Sequence, residues 1–260
     1  MKDLHPAAAV GFARVAELYE RARPSYPADA VAWLAERCAL GPGRTVVDLG
    51  AGTGKLTRLL PATGARVVAV EPIAEMRALI DGVEALDGTA EEIPFADGSV
   101  DAIVVAQAFH WFDHDCALPE IHRVLAPEGR LGLIWNSRDL DDPLQIELEE
   151  VLRPSRRRVA DQQSGGWRPP LEASPLFGPV EEASFPFAQS FTTDDLCERV
   201  ASTSFVAAAT PDEREELLAR VRSLTVGLDE PFPFRYRTDV YVVPRSRDQD
   251  AGRRGTSIQG

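Results

Sequence analysis

The stretch VVDLGAGTG at residues 46–54 decides the fold. Its apolar, β-branched beginning predicts a buried strand that ends at Leu49. Gly50, Gly52 and Gly54 then predict a tight turn into a helix, because glycine accepts positive φ angles and lets a ligand approach the backbone. Several classes of enzyme use such a turn to hold a nucleotide-type cofactor, so its sequence context has to identify the class.

The sequence around this turn alternates short apolar runs with stretches of helical spacing, which predicts βαβ units and a parallel sheet. The predicted strands are TVVDL (45–49), RVVAV (66–70), a weaker strand at 83–86, VDAIVVA (100–106) and RLGLIW (130–135). The predicted helices are YPADAVAWLAERCAL (26–40), KLTRLLPAT (55–63), IAEMRALIDG (73–82) and CALPEIHRVLAPEG (116–129). We therefore expect an α/β fold with a doubly wound, Rossmann-like sheet, mostly parallel with an antiparallel C-terminal edge, plus an N-terminal helix and C-terminal helical additions.

The chain is long enough for one main domain with additions. We expect an N-terminal helical lid (1–41), a cofactor-binding core (42–139), C-terminal helices and edge strands that complete the same domain (140–244), and a disordered tail (245–260). Within the third part, 163–179 is rich in Gly, Pro and Ser and is predicted to be a loop or lid, whereas helices are expected at 194–208 and 211–226 and strands at 180–192 and 234–244.

Composition and charge exclude several classes of function. The 41 acidic and 28 basic side chains give a net charge of −13, which disfavours a nucleic-acid substrate because the average surface repels polyanions. The three cysteines have no paired spacing, and no HxH or HExxH pattern or carboxylate cluster is present, so we expect reduced thiols and no metal. No apolar run is long enough to cross a bilayer and no secretory segment precedes the core, so a cytoplasmic location is expected.

Two acidic residues indicate which chemical groups the cofactor carries. Glu71 directly follows the second predicted strand, about 20 positions beyond the glycine turn, where a carboxylate can accept hydrogen bonds from both hydroxyls of a ribose. The alternative is an exposed carboxylate at a strand end. Asp48 stands two residues before the first glycine and suits a ligand that carries an ammonium group better than it suits a pyrophosphate.

Three further stretches carry a family resemblance: DGTAEEIPFADGSVDAIVVAQAFHWF (87–112), LYERARPSYP (18–27) and IHRVLAPEGRLGLIWNSRD (121–139). Together with the glycine turn they resemble the class I S-adenosylmethionine-dependent methyltransferases, in particular the subgroup similar to trans-aconitate-type, or type 11, small-molecule methyltransferases. The resemblance covers about Tyr19 to Asp139. It implies S-adenosylmethionine as the cofactor.

The resemblance also assigns residues to the cofactor. It implies that Gly50, Ala51 and Gly52 line the methionine part, Glu71 binds the ribose, Pro72 and Ile73 enclose the adenine, Thr89, Ala90 and Glu91 flank it, and Gln107 lies beside the cofactor. Many relatives carry Asp where Thr89 stands, although a hydroxyl can also accept from the adenine amino group. Tyr19 and Arg23 precede the core and are expected to fold over the cofactor, with Arg23 suited to a carboxylate; pairing of Arg23 with a surface acid is the alternative.

The acceptor site is expected at the carboxyl end of the fourth strand, where ligands of open α/β sheets bind. His110 is the candidate general base or substrate-orienting group there, and a packing role beside two aromatic rings is the alternative. Trp111, Trp135 and Arg138 are candidate substrate contacts on the same rim. Trp167, in the irregular segment, is interpreted either as part of a lid or as a local anchor.

The leading hypothesis is therefore methyl transfer from S-adenosylmethionine to oxygen, nitrogen or carbon of a small-molecule acceptor, with no nucleic-acid or membrane partner. One alternative is a protein that binds S-adenosylmethionine without transferring its methyl group. Another is a nucleotide-dependent oxidoreductase, which shares the glycine turn but does not account for AEEIPF (90–95) or AQAFHWF (106–112). The sequence sets no oligomeric state.

Overall fold

The computed structural model describes residues 23–157 and 166–246. The strands of this part of the chain are β1 (Thr45–Leu49), β2 (Arg66–Val70), β3 (Glu84–Leu86), β4 (Val100–Ala106), β5 (Leu125–Arg138), β6 (Glu181–Phe191) and β7 (Phe232–Pro244). They form one sheet in the order β3-β2-β1-β4-β5-β7-β6. β1 to β5 pair in parallel and the sheet has one antiparallel edge, which confirms the predicted fold class.

The described α-helices are α1 (Ala28–Arg37), α2 (Ala74–Arg77), α3 (His114–Val124), α4 (Pro143–Arg157), α5 (Arg168–Ala173), α6 (Thr193–Ala201), α7 (Ser204–Ala207) and α8 (Pro211–Ser223). Two 3₁₀ helices cover Thr57–Thr63 and Phe109–Trp111. All five strands predicted in the core are present, and both predicted C-terminal strands are present as β6 and β7. The boundary predicted between the helix 116–129 and the strand 130–135 is wrong, because α3 ends at Val124 and β5 already begins at Leu125.

The chain divides into two compact units. Among the described residues, the sheet unit comprises 26–135, 166–184 and 239–246, and the helical unit comprises 23–25, 136–157 and 185–238. β5, β6 and β7 each contribute residues to both units because they cross the boundaries of these segments.

The core of the sheet unit lies between the sheet and its flanking helices. Apolar side chains of β1, β4 and β5 meet Ala117, Ile121 and Val124 of α3, and all of these side chains are fully buried. On α1, Leu34 is fully buried as well, and a Cβ atom added at Gly132 of β5 would lie only 2.5 Å from its Cδ1 atom. A side chain at position 132 would therefore require the Leu34 side chain to move.

Two crossover segments of the sheet unit depart from the predicted regular helices. KLTRLLPAT forms the 3₁₀ helix Thr57–Thr63, which contains Pro61, a residue without the N–H group that an α-helical hydrogen bond requires. IAEMRALIDG gives only the four-residue α2, of which Met76 alone is buried. With only one buried side chain, this segment gains little stabilisation from packing, so a longer helix does not form.

The helical unit has its own apolar core, in which aromatic residues of β6 and β7 stack. The rings of Phe191 and Phe234 lie 4.8 Å apart and nearly parallel. Capping boxes at Thr192 and Thr210, with Asp195 and Glu213 as the reciprocal partners, explain why α6 and α8 begin where they do.

The sequence did not single out α4, although it contains a helical signal. Leu144, Leu148, Val151 and Leu152 follow the spacing of one helix face, and the last three are buried in the core of the helical unit.

Two expectations about irregular segments are wrong within the described residues. The stretch 163–179 was expected to be a loop, but α5 (Arg168–Ala173) lies within it, with prolines in its first turn where their missing N–H groups cost nothing. The expected disordered tail starts too early: Arg245 N donates to Gly129 O at 2.9 Å, Ser246 N donates to Leu176 O at 2.8 Å, and Ser246 is buried. The remaining tail, 247–260, lies outside the described residues. In the described ranges, no helix is long and apolar enough to span a bilayer.

Candidate functional site

The glycine turn after β1 leaves an open surface above the strand end. Gly50, Gly52 and Gly54 have φ angles of 69°, 58° and 85°. The N–H groups of Gly50 and Ala51 donate to the carbonyl of Val70, at 2.8 and 3.2 Å, which fixes the turn against β2. A Cβ atom added at Gly52 would meet no atom within 4 Å. The backbone at Gly52 therefore faces space that a ligand can occupy.

Asp48 lies fully buried beneath this turn. Its Oδ2 atom accepts a hydrogen bond from the hydroxyl of Thr57 at 2.6 Å, whereas its Oδ1 atom has no hydrogen-bond partner in the described residues. Burial raises the pKa of this carboxyl group to about 7. In its charged form this carboxylate favours a positive charge bound above the turn.

Glu71 joins the glycine turn to the segment after β2. It is 5% exposed, its Oε2 atom accepts from Gly52 N at 2.8 Å, and its Oε1 atom accepts from Ile73 N at 2.9 Å. Burial raises the pKa of the carboxyl group and these two amide hydrogen bonds oppose the shift. Each carboxylate oxygen has a second lone pair, so Glu71 can accept two further hydrogen bonds from a diol while it keeps both amides.

The loop after β3 carries Thr89, Ala90 and Glu91. Thr89 N donates to Glu92 O and Glu92 N donates to Thr89 O, at 3.2 and 3.3 Å, which closes a tight turn. Ala90 is 3% exposed and packs into the core of the sheet unit. The carboxylate of Glu91 accepts from Asp113 N at 3.0 Å, so it is directed at the N-terminus of α3. Pro72, which was expected beside the adenine, is half-buried next to Glu71.

The turn after β4 has an unusual backbone. Gln107 is a non-glycine residue with a φ angle of 60°, and its N–H group donates to Ile134 O at 3.0 Å. Strained backbone of this kind tends to occur at functional sites. A Cβ atom at Gly50 would lie 3.0 Å from the Cβ atom of Ala108, so the turn after β4 touches the glycine turn.

His110 follows in the 3₁₀ helix Phe109–Trp111 and is half-buried. The centroid of its ring lies 4.8 Å from that of Trp111, which is also half-buried. Phe109, in contrast, is fully buried in the core. The structure thus places the candidate base and the candidate substrate contact Trp111 together, two residues from the contact with the glycine turn.

Trp135 belongs to an aromatic cluster formed with Trp167 and Tyr241. Trp135 stacks on Trp167 with ring centroids 4.6 Å apart, and Tyr241 meets Trp167 edge-on at 4.9 Å. Phe109 also meets Trp167 edge-on, at 6.3 Å. All three cluster residues are partly buried against the core. Of the two interpretations of Trp167, this packing favours the anchor.

Two predicted site residues belong to the helical unit. Arg23 Nη2 donates to Ser202 O at 3.2 Å. Arg138 forms an ion pair with Glu149, and both side chains are largely buried. Tyr19 lies outside the described residues. In the part of the chain that the structure describes, no group of three or more His, Cys, Asp or Glu residues could hold a metal ion.

The sheet unit therefore brings together most of the predicted site residues: Asp48, Gly50, Ala51, Gly52, Glu71, Pro72, Thr89, Ala90, Glu91, Gln107, His110, Trp111 and Trp135. Sequence reasoning missed Thr57, the hydrogen-bond donor to Asp48, because its only signal is a position nine residues after that carboxylate. It also missed Glu120 and Arg123, which contact the backbone of the loop after β3 and lie one helical turn apart on α3.

Comparisons with known proteins show the family of the chain. Residues 47–133 match a family model described as a methyltransferase domain. An uncharacterized methyltransferase of Mycobacterium tuberculosis is 42% identical over 219 residues, which cover 83% of this chain and 85% of that protein.

Solved structures share the fold. The structure of a candidate type II methyltransferase from Anaeromyxobacter dehalogenans has a TM-score of 0.62 and 22% identity, and covers 86% of this chain and 97% of its own. Phosphoethanolamine N-methyltransferase 2 of Haemonchus contortus, solved with S-adenosylhomocysteine, has a TM-score of 0.55 and 15% identity, and covers 95% of this chain and 61% of its own.

Proposed function

The chain belongs to the class I S-adenosylmethionine-dependent methyltransferases, and we propose that it methylates a small-molecule acceptor at the turn that follows β4. One observation carries this proposal: the glycine turn and the His110 turn touch, with 3.0 Å between the Cβ position of Gly50 and the Cβ atom of Ala108. A methyl donor above the first turn therefore lies beside the side chains of the second. The net charge of −13 supports a small acceptor over a nucleic acid.

The residues present fit the cofactor. The buried carboxyl group of Asp48 attracts its cationic methionine part from beneath the turn, Gly52 offers open backbone, and Glu71 has one further lone pair on each carboxylate oxygen for the ribose hydroxyls. We assign the following residues of the sheet unit to the cofactor: Asp48, Gly50, Ala51, Gly52, Glu71, Pro72, Thr89, Ala90, Glu91 and Gln107. When bound, S-adenosylmethionine supplies a methyl group on a sulfonium, which is already activated for displacement.

The remaining chemistry belongs to this chain's own residues. Alignment of the acceptor with the sulfonium and exclusion of water account for most of the rate enhancement in such a displacement. Removal of a proton adds to the rate when the acceptor is protonated. We assign proton removal to His110, and contacts with the acceptor to Trp111 and Trp135. The half-buried His110 and Trp111 rings offer a partly apolar surface that suits an organic acceptor better than a polyanion.

The test is turnover with purified protein. We expect production of S-adenosylhomocysteine to depend on one class of compound in a panel of carboxylic acids, phenols, amines and quinones, and to be absent with RNA, DNA or protein. Transfer to RNA or protein would contradict the small acceptor. Tight binding of S-adenosylmethionine without turnover on any class would favour a binding protein instead.

A further inference from the structure

Glu120 and Arg123, two side chains of α3, form hydrogen bonds with the backbone of the loop after β3 (residues 89–97). Glu120 Oε1 accepts from Ile93 N at 2.8 Å, and Arg123 Nη2 donates to Ile93 O at 3.2 Å. Arg123 Nη1 donates to Phe95 O at 3.0 Å. The pair therefore satisfies both the donor and the acceptor of Ile93 and reaches two residues further along the loop.

The two side chains also fix each other. Arg123 Nε donates to Glu120 Oε2 and Nη2 donates to Glu120 Oε1, both at 2.7 Å, in the forked geometry that a guanidinium forms with a carboxylate. Arg123 Nη1 further contacts Asp97 at 2.6 Å. These hydrogen bonds hold the pKa of Glu120 below its usual range and raise that of Arg123, so both groups stay charged at neutral pH.

The loop is held at its other end as well. Glu91 accepts from Asp113 N, at the N-terminus of α3, and the adjacent His114 Nε2 atom contacts Phe109 O at 3.1 Å. Helix α3 thus contacts the loop at both helix ends and also contacts the turn that carries His110. Burial of Ala90 and Ile93 anchors the loop to the core, whereas Glu120 and Arg123 fix the course of its backbone between 93 and 97.

We propose that Glu120 and Arg123 are positioning residues that give this site its selectivity for adenine. The inference rests on the proposed function, in which Thr89, Ala90 and Glu91 flank the adenine ring. A fixed loop presents its hydrogen-bonding groups at set positions, and it distinguishes a base with an amino group from one with a carbonyl oxygen at the same place. A loose loop shifts to accept either base.

The experiment compares two ligands that differ in this group and in the proton on the neighbouring ring nitrogen N1: S-adenosylhomocysteine and S-inosylhomocysteine. Their dissociation constants are measured by calorimetry on the full chain, as wild type and as the variants Arg123→Lys and Glu120→Gln. Glu120→Gln keeps the size of the side chain, Arg123→Lys keeps the charge on a slightly shorter side chain, and each breaks the fork. We expect each variant to raise the dissociation constant of S-adenosylhomocysteine about tenfold and that of the inosine ligand by less than about threefold, so that the preference for adenine falls.

Arg44→Lys is the matched control. Arg44 Nη1 bonds to Asp101 at 2.6 Å, and Asp101 in turn accepts from Thr45 N at 2.8 Å, so this pair also joins a guanidinium, a carboxylate and a backbone amide. It lies at the amino ends of β1 and β4, away from the glycine turn. We expect Arg44→Lys to lower the melting temperature by a similar amount and to leave the ratio of the two dissociation constants unchanged.

The double variant Glu120→Gln/Arg123→Lys tests whether the two side chains act as one unit. If they do, it loses no more selectivity than either single variant. Equal weakening of both ligands by the α3 variants would show a purely structural role and overturn the proposal. Failure of the wild type to bind S-adenosylhomocysteine would overturn the cofactor site and the positioning role together, whereas normal binding with unchanged ratios would overturn the positioning role alone.

Discussion

Asp48 and Glu71 are both buried carboxyl groups, but they differ in how many of their oxygens accept a hydrogen bond from the protein. Glu71 has one amide donor on each oxygen, whereas Asp48 has one hydroxyl donor and one oxygen without a partner in the described residues. Burial raises the pKa of both groups. The site is therefore built to receive donors at Glu71 and a positive charge at Asp48.

Replacement of Glu71 tests the ribose contact. Glu71→Ala removes hydrogen bonds to a charged acceptor, each worth roughly 1.5–3 kcal/mol, so we expect the dissociation constant of S-adenosylmethionine to rise at least about tenfold by calorimetry. Glu84→Ala is the control, because Glu84 is an exposed carboxylate paired with Arg66 on β2. Unchanged affinity in Glu71→Ala would refute the contact.

Titration of Asp48 should make cofactor affinity depend on pH. With a pKa of about 7, the free carboxyl group is charged above neutral pH and neutral below it. The charged form attracts a cationic ligand, so we expect affinity to be constant above about pH 8 and to fall by up to about tenfold per pH unit below 7. Asp48→Asn should bind weakly at every pH. Glu71→Ala should keep the pH dependence, and its loss there would assign the titration to Glu71 instead.

His110 is the residue whose role in the chemical step is most open to a direct test. If it removes a proton, His110→Asn should lower kcat by about 10²- to 10⁴-fold and leave the dissociation constant of the cofactor nearly unchanged. His114→Asn is the control, because His114 contacts Phe109 O and should affect stability more than turnover. A fall in kcat of less than about threefold for His110→Asn would leave alignment and exclusion of water as the mechanism.

At the scale of elements, the strands were predictable and the segments between them were less so. β1, β2 and β4 are continuous apolar runs because parallel strands are covered on both faces, and this signal is local. The crossover after β1 carried helical spacing, but Pro61 changes its hydrogen-bonding pattern, and α5 begins with two prolines that resemble a loop in the sequence. Local composition does not distinguish a proline that ends a helix from one that begins it.

The candidate site follows the same division. The positions of Asp48, Glu71 and the glycines were predictable because these residues lie at strand ends. Three other features could not be predicted, because each depends on contacts between segments that are distant in sequence. They are the Oδ1 atom of Asp48 without a hydrogen-bond partner in the described part of the chain, the positive φ of Gln107, and the hydrogen bonds of α3 to the loop after β3.

The glycine turn after β1 can be tested against a turn of similar geometry. Gly52 and Gly43 both have positive φ angles, 58° and 80°, and a Cβ atom at either would meet nothing within 4 Å. Alanine at each should therefore cost a similar strain, about 1 kcal/mol, in a thermal or urea unfolding experiment. Only Gly52→Ala should weaken cofactor binding, because Gly43 precedes β1 at its opposite end. Equal binding by the two variants would mean that the space at Gly52 is not used.

At the scale of the whole molecule, two features bear on function. The net charge of −13 and the isoelectric point of about 4.8 oppose association with polyanions. The sheet unit and the helical unit each have a separate apolar core, and the two sets of buried residues share no member. All described residues that we assign to the cofactor belong to the first of these units.

This division predicts an uneven response to the cofactor. A ligand present at 100 times its dissociation constant stabilises the unit that binds it by about 2.7 kcal/mol, which slows exchange of amides that open with that unit by about 100-fold. In hydrogen exchange followed by mass spectrometry, S-adenosylhomocysteine should therefore protect β1, β2 and the loop 89–97 to this extent. Peptides from α6 and α8 should gain less than about threefold in protection, because their amides open with the separate core of the helical unit. Equal protection in α6 and α8 would mean that the two cores open as one unit, and protection confined to α6 and α8 would place the cofactor away from the glycine turn.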